Sequence, residues 1–373
     1  MEKFSYWEYK QWFRGIDVCI IGSGIVGLSA AIALKRQNPA SHILVVEKGI
    51  LPEGASTKNA GFACFGSPSE ILENLKNQPQ EVVLALIEKR WRGLQLLKEE
   101  VGEPNLEYVE QGGFECFFQN NQTLYQYCLD ELPRLNKMLN QIFNRDVFQI
   151  VSNNSGLRQV FPNLLFTPLE GQLNPASMMF SLRKKATEFG VRIVTGLEII
   201  DIKNNGSRIE LQATDFSFET KRLGIATNGF ANQLLHLPVK PARAQVLITE
   251  PVTNLRIKGN FHIDRGYYYF RNVGDRILLG GARNHDFESE ETNVIALNQK
   301  IQTQLDHVLQ TVILPERTAK VAHRWAGIMG VNDGEPPMVK KTSPNIAVGV
   351  RLGGMGVAIG SLIGKELAEL LMD

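Results

Sequence analysis

The sequence predicts an α/β chain of two domains, a parallel-sheet domain with an antiparallel-sheet, α+β domain inserted into it. Three observations predict this. Residues 16–47, IDVCIIGSGIVGLSAAIALKRQNPASHILVVE, run strand, glycine turn, helix, strand, acid. Further pieces that would complete a parallel sheet recur near residues 175–227 and 346–350. Between them, at 244–249, 267–271 and 276–280, lie segments that read as antiparallel strands.

The opening unit is a Rossmann-like dinucleotide-binding βαβ unit. Gly22 permits the tight turn after the apolar run 16–21, Gly24 lets the backbone approach a pyrophosphate, and Gly27 lets helix pack on strand. The helix N-terminus offers free N–H groups and partial positive charge to an anion. Glu47 ends the second strand twenty residues after Gly27, where its carboxylate can accept from ribose hydroxyls.

A chain of 373 residues can bury a sizeable core and form two domains. Forty basic against thirty-nine acidic residues give a net charge of +1, which offers no electrostatic case for nucleic acid or an anionic membrane. Cys19, Cys64, Cys116 and Cys128 show no CxxC spacing, so a reduced cytoplasmic setting is expected rather than a disulfide scaffold. The N-terminal MEKFSYWEYKQWFRG lacks the apolar core of a signal peptide; Phe4, Trp7, Tyr9 and Phe13 are expected to pack a short helix on the body. No run approaches the ~20 apolar residues of a transmembrane helix.

A glycine-rich loop follows at 49–69 and an amphipathic helix at 81–100, with Val83, Ile87 and Leu94 apolar. Residues 106–118 read as a hairpin turned at Gly112-Gly113, and 124–143 as a helix broken or kinked at Pro133. Asn174-Pro175 begins the next helix as N-cap and first-turn proline; Met179, Leu182, Ala186 and Phe189 form its stripe and Gly190 ends it. Strands are expected at 191–195, 198–203, 208–214 and 223–227, then at 320–328 and 346–350 after an amphipathic helix over 290–311. A glycine turn and a helix occupy 354–371. The expected boundaries are 1–90, 146–230 and 318–373 for the nucleotide-binding domain and 91–145 and 231–317 for the inserted one.

Three further stretches make the first motif specific: GILPEGASTKNAGFACFGS; EGQLNPASMMFSLRKKATEFGVRIVTGLEIIDI with GIATNGFANQLL; and RWAGIMGVNDGEPP with IAVGVRLGGMGVAIGSLIGKELAELL. Together they resemble, over nearly the whole chain, the D-amino-acid oxidase family of FAD-dependent oxidoreductases. That group includes glycine and sarcosine oxidases, D-amino-acid dehydrogenase and gamma-glutamylputrescine oxidases. The resemblance implies noncovalent FAD, because no cysteine follows Cys128 where some members tether it.

It also implies roles. Gly22, Ser23, Gly24, Ile25, Val26 and Gly27 would hold the pyrophosphate, and Glu47 the ribose with Lys48 beside it. Ala55, Ser56, Thr57, Lys58, Asn59, Ala60, Gly61 and Phe62 resemble the family's AS-x-R-N-x-G-F loop along the pyrophosphate and flavin, with Lys58 replacing the arginine. Glu198 or Ile199 would border the adenine, and Thr227, Asn228 and Gly229 the ribityl chain. Gly353, Gly354, Met355, Gly356 and Val357 resemble the GFSGHG turn that opens the last helix against the flavin N1–C2=O edge, where preorganised donors stabilise anionic charge.

The implied reaction removes a hydride from a carbon bearing an amine, with dioxygen or another acceptor reoxidising the flavin. The family's amino-acid oxidases clamp the substrate carboxylate with arginine and tyrosine. Aligning RWAGIMG on the WAGLRP motif of glycine oxidases puts Met329 in the arginine's place, and Gly354 stands where a second arginine would be. Replacement candidates are Arg351, Arg324, Tyr267, Tyr269 and Arg271; strand alternation puts the last three on one face, with Tyr268 and Phe270 on the other. The stretches GYYYFRNVGDRILLGGARN and QVLITEP resemble the gamma-glutamylputrescine oxidase branch, whose amine substrate would suit a loosened carboxylate clamp. Two alternatives stay open: oxidation of a 2-hydroxy acid, for which no base stands out, and a flavin-binding subunit without turnover. The six histidines show no metal-ligand spacing.

Overall fold

The computed structural model describes residues 4–317, 319–332 and 334–373; residues 1–3 of the N-terminal stretch and Asp333 of RWAGIMGVNDGEPP lie outside the described residues. Its elements begin with α1 (Tyr6–Trp12), β1 (Ile16–Ile21), α2 (Ile25–Gln37), β2 (Ile43–Glu47), α3 (Ala55–Lys58), β3 (Phe62–Ala63), α4 (Pro68–Asn77), α5 (Gln80–Val101) and α6 (Glu103–Leu106). There follow β4 (Gly113–Cys116), α7 (Gln122–Phe143), β5 (Gln149–Ser152), β6 (Asn163–Thr167), β7 (Gly171–Gln172), α8 (Pro175–Glu188), β8 (Arg192–Thr195), β9 (Ile199–Asn204), β10 (Ile209–Ala213) and β11 (Ser217–Ile225). Next come β12 (Lys240–Thr249), β13 (Asn260–Ile263), β14 (Tyr268–Val273), β15 (Arg276–Gly281), α9 (Phe287–Glu290) and α10 (Gln299–Val308), then β16 (Val321–Val331), β17 (Met338–Ser343), β18 (Ile346–Val350) and α11 (Gly356–Met372).

The first sheet has the order β17-β18-β11-β1-β2-β8, and its β18, β11, β1, β2 and β8 run parallel. β1 is apolar on both faces because both are covered. Val18 and Ile20 pack with α2 and α11 residues such as Leu28, Ile32, Ile359 and Ile363. Cys19 and Ile21 pack on the other side with Leu211, Phe218 and Val348. β9 and β10 extend β11 as an antiparallel meander under that second face.

The second sheet, β16-β12-β15-β14-β13-β4-β6-β5, is antiparallel except where β13 lies parallel to β4. Its side chains alternate by the period of two. Leu247, Phe261, Tyr268, Phe270 and Leu279 turn toward Ile301, Leu305 and Val308 of α10. Val246, Tyr269, Leu278 and Trp325 turn the other way and meet Ala60 and Phe62. That face looks back at the nucleotide domain.

Several sequence expectations change. β5, β6 and β16 lie within stretches expected in the nucleotide-binding domain, yet all three pair in the second sheet. Strand character is local, but the partner strand is not, so the boundaries at 146 and 318 move. Residues 106–118 form no hairpin. Gly112, at φ +75°, kinks the chain into β4, which pairs with β6 and β13. α7 runs unbroken through Pro133. The interior proline costs roughly 3 kcal/mol, offset by a buried stripe that includes Leu124, Cys128, Leu132, Leu135 and Leu139. The helix expected over 290–311 starts only at Gln299, where the Asn298 side chain caps it, and Val294 is exposed. α1 has no buried residue; Phe4 and Phe13 pack on Phe216, but Trp7 stands 72% exposed.

Candidate active site

A cavity of about 850 Å³ runs between the two sheets. One end is built by the first βαβ unit. Gly22 takes φ +103°, a conformation open to glycine, and its N–H donates to Val46 O at 2.8 Å. A Cβ on Gly27 would lie 1.9 Å from Gly22 O, so only glycine lets α2 start this close to the turn. The N-cap residue of α2, Gly24, gives no side-chain hydrogen bond, so apart from Ile25 N the N–H groups of its first turn have no side-chain cap for an anion to displace. Glu47 is buried at the tip of β2, accepting from Ser23 N and Ser23 Oγ at 3.0 Å each and from Gly49 N at 3.3 Å. A carboxylate has further lone pairs for a ligand hydroxyl.

The loop over α3 is tied down before any ligand arrives. Asn59 donates to Ala55 O and Ser56 O and accepts from Gly61 N. Ser56 Oγ accepts from Ile25 N at 3.0 Å, docking the loop on the start of α2. Trp325 Nε1 donates to Lys58 O at 2.8 Å. From beneath, the buried Arg271 donates to Ala60 O at 2.5 Å, Leu173 O at 2.9 Å and Gln172 Oε1 at 2.6 Å. Burial pushes its guanidinium down to about 10.

Asn228, at φ +46°, accepts from both Arg351 N and Leu352 N through Oδ1, so the turn after β11 is fastened to the turn before α11. Thr227 beside it lines the cavity, and its Oγ1 is buried with no hydrogen-bond partner among the described residues. α11 opens without a side-chain cap, and Met355, Gly356 and Val357 at its start line the cavity.

The other end is walled by the second sheet. Phe62 meets Tyr269 and His262 edge-on at 5.6 and 5.4 Å. His262 and Tyr269 are cross-strand partners of β13 and β14. Tyr269 leans over Gly280, where a Cβ would strike its ring. His262 Nε2 lies 3.0 Å from Glu170 Oε2. Burial opposes the charged imidazole, but Glu170 overcomes it and pushes the group up to about 9. Cys64 joins this pair, with ligand atoms of the three within 4.8 Å. Burial holds its thiol protonated, with Sγ 3.5 Å from Met355 Sδ.

Among the residues expected at the nucleotide, Gly22, Gly24, Ile25, Val26, Glu47, Lys48, Ala55, Ser56, Lys58, Asn59, Ala60, Phe62, Glu198, Ile199, Thr227, Asn228 and the whole 353–357 turn line the cavity. Ser23, Gly27, Thr57, Gly61 and Gly229 stand behind it as supports. Tyr267 and Tyr269 line its far end; Arg271, Arg324 and Arg351 do not. Arg324 is held by Gln302 and Asp306, and Arg351 by Pro336 O, Pro238 O and Glu335. Sequence reasoning passed over His262 and Arg283, both in the lining. Arg283 directly follows GGA at the end of a strand already recognised as such, and its place at the strand's cavity end was the available signal.

A model of the FAD-dependent oxidoreductase (DAO) domain matches residues 17–370, and the chain belongs to that family. It is 22% identical over 378 residues to the probable oxidoreductase OrdL of Haemophilus influenzae, covering 95% of this chain and 83% of that protein. The crystal structure of glycine oxidase from Geobacillus kaustophilus superposes with a TM-score of 0.74 at 20% identity, covering 95% of this chain and 94% of that one. The L-proline dehydrogenase of P. horikoshii gives 0.75 at 16% identity, over 95% and 93%. These likenesses establish the fold. The chain is an FAD-dependent oxidoreductase, and the cradle fits that cofactor: glycines close the approach to β1, Thr227 in the lining carries a buried hydroxyl with no partner among the described residues, and the α11 start, without a side-chain cap, lines the cavity.

Proposed function

We propose that this enzyme oxidises the carbon–nitrogen bond of a small amine or amino acid, with FAD bound noncovalently. The observation that carries the reading is the continuity of the cavity. It leads from the nucleotide cradle past the start of α11 into a chamber walled by Phe62, His262, Tyr267 and Tyr269. Relatives and structural neighbours named for sarcosine, glycine and L-proline oxidation support the substrate class.

Bound FAD supplies the two-electron acceptor for a hydride leaving the substrate carbon. The protein's part is to hold that carbon over the ring and keep water out. Phe62 and Tyr269 provide apolar walls for this. The uncapped start of α11 offers N–H donors where negative charge develops. Oxidation of a 2-hydroxy acid would need a group that takes the hydroxyl proton. His262, raised to about 9 by Glu170, already carries its proton at neutral pH. An amine needs no such base once it binds in its neutral form.

An anaerobic titration of the holoprotein with amines, amino acids and 2-hydroxy acids tests the reading. Bleaching of the flavin band by amines or amino acids alone is the expected result, and readmitting air then tells an oxidase from a dehydrogenase. Bleaching by hydroxy acids alone would sink the proposal. Flavin retained by acid-precipitated protein would sink the noncovalent part.

A further inference from the structure

We infer that Arg283, with Tyr267 beside it, is the anchor for an anionic group, a carboxylate, on the substrate; the inference rests on the amine-oxidation reading of this cavity. The positions where glycine oxidases carry arginine hold Met329 and Gly354 here, and both line the cavity. The arginines expected to substitute are spent elsewhere: Arg271 beneath the α3 loop, Arg324 on Asp306, Arg351 on backbone carbonyls and Glu335.

Among the described residues two arginines do line the cavity, Arg265 and Arg283. Arg265 is engaged by Glu73 at 3.4 Å and Asp264 at 3.6 Å. Arg283 is not engaged. Among the described residues its guanidinium has no hydrogen-bond or ion-pair partner; it lies over the Phe287 ring at 4.8 Å. Phe287 in turn packs edge-on against Tyr267 at 5.8 Å. A planar guanidinium stacked on one face keeps its forked N–H edge for a carboxylate. Burial disfavours its charge and outweighs the more distant attraction of Tyr267, Glu290 and Glu291, none of which pairs with it directly among the described residues.

The backbone fixes this placement. Gly281, at φ +118°, lies so close to Tyr267 O that a Cβ would overlap it. Ala282 follows in the left-handed region at φ +63°, its N–H donating to Tyr267 O at 2.7 Å. A non-glycine residue held there is strained, and such strain clusters at functional sites. The strained turn sets Arg283 at the cavity edge next to Tyr267. Among the described residues Lys58 is the other lining cation without a hydrogen-bond or ion-pair partner, but it sits on the loop that tracks the cofactor cradle, not on the substrate sheet.

The test titrates the FAD-saturated protein with phenylacetate and with uncharged phenylacetamide, by calorimetry and by perturbation of the flavin spectrum. Phenylacetate should bind the parent more tightly than phenylacetamide. Arg283→Gln should weaken phenylacetate by about 10- to 150-fold, the range of a lost charge-assisted hydrogen bond. Phenylacetamide and FAD affinities should stay within about threefold, and Arg283→Lys should fall between. Unchanged phenylacetate binding in Arg283→Gln, or the loss appearing in Lys58→Gln instead, would overturn the anchor while leaving the flavin reading intact. A protein that takes up no FAD would overturn the cavity reading itself.

Discussion

Replacing Arg271 with Met separates a positioning arginine from a substrate-binding one. Its three close hydrogen bonds reach Ala60 O, Leu173 O and Gln172 Oε1. Hydrogen bonds to a charged group are worth about 1.5–3 kcal/mol each. Burial opposes this: a guanidinium lowered from its ordinary value to about 10 costs about 3 kcal/mol for staying charged. The difference leaves about 1.5–6 kcal/mol holding residues 60 and 173 together. Met cannot satisfy the two carbonyls, so that much is lost locally. Thermal unfolding of the apoprotein should drop by several degrees. Because the freed loop lines the cofactor cradle, FAD should bind at least about tenfold more weakly, the lower end of that range at roughly tenfold per 1.4 kcal/mol. Lysine at this position, with one ammonium and no fork, should restore only part of both. A variant with the parent's melting temperature and FAD affinity, but a raised KM for substrate, would refute the reasoning and return Arg271 to the substrate.

Other outcomes follow from the same geometry. Gly27→Ala puts a methyl 1.9 Å from Gly22 O, so FAD uptake on reconstitution should fall by at least tenfold. Thr227→Val removes a buried hydroxyl that has no partner, so the apoprotein should melt at the same temperature or higher while FAD binds more weakly. The His262–Glu170 pair makes stability depend on pH. The folded pKa of His262, about 9, lies above its ordinary 6.5, so its contribution is whole below about 6.5 and is lost as pH rises through about 9. Urea unfolding should therefore weaken by about 1–3 kcal/mol across that window, and His262→Gln should flatten the slope.

What was legible in the sequence was what local chemistry decides. The run from Ile16 to Glu47 announces its turn, helix and acid because each is set by neighbours a few residues away. The cap at Asn174, whose side chain accepts from Ala176 N and Ser177 N, was readable for the same reason. Whatever depends on remote partners was not. Alternation correctly put Tyr269 and Arg271 on one face of β14, but it cannot say how far along that face the cavity ends. Tyr269 lands in the opening and Arg271, one pleat on, lands under the α3 loop. Pro133 misled because the compensating stripe is tertiary. For Arg283 the sequence offered only its place at the end of a recognised strand; that it has no hydrogen-bond or ion-pair partner among the described residues is not something composition records.

The two sheets divide the work unequally, and that division explains where the chain departs from its relatives. The nucleotide half is locked by contacts that tolerate little change: backbone approaches at Gly22 and Gly27, the Asn228 clasp, and the Asn59 knot. The substrate half is a sheet face, and a face offers many positions from which a side chain can reach one chamber. An anchor can therefore leave β16, where Met329 now stands, and reappear at the end of β15 without disturbing the fold. β12 lies between those strands, bonded to both, so the move shifts the charge across the chamber rather than out of it. A carboxylate held from the Arg283 side would present the substrate in a different orientation over the flavin from one held at 329. Substrates sharing the same amine but differing in the length between amine and carboxylate should then be ranked differently by this enzyme and by a glycine oxidase.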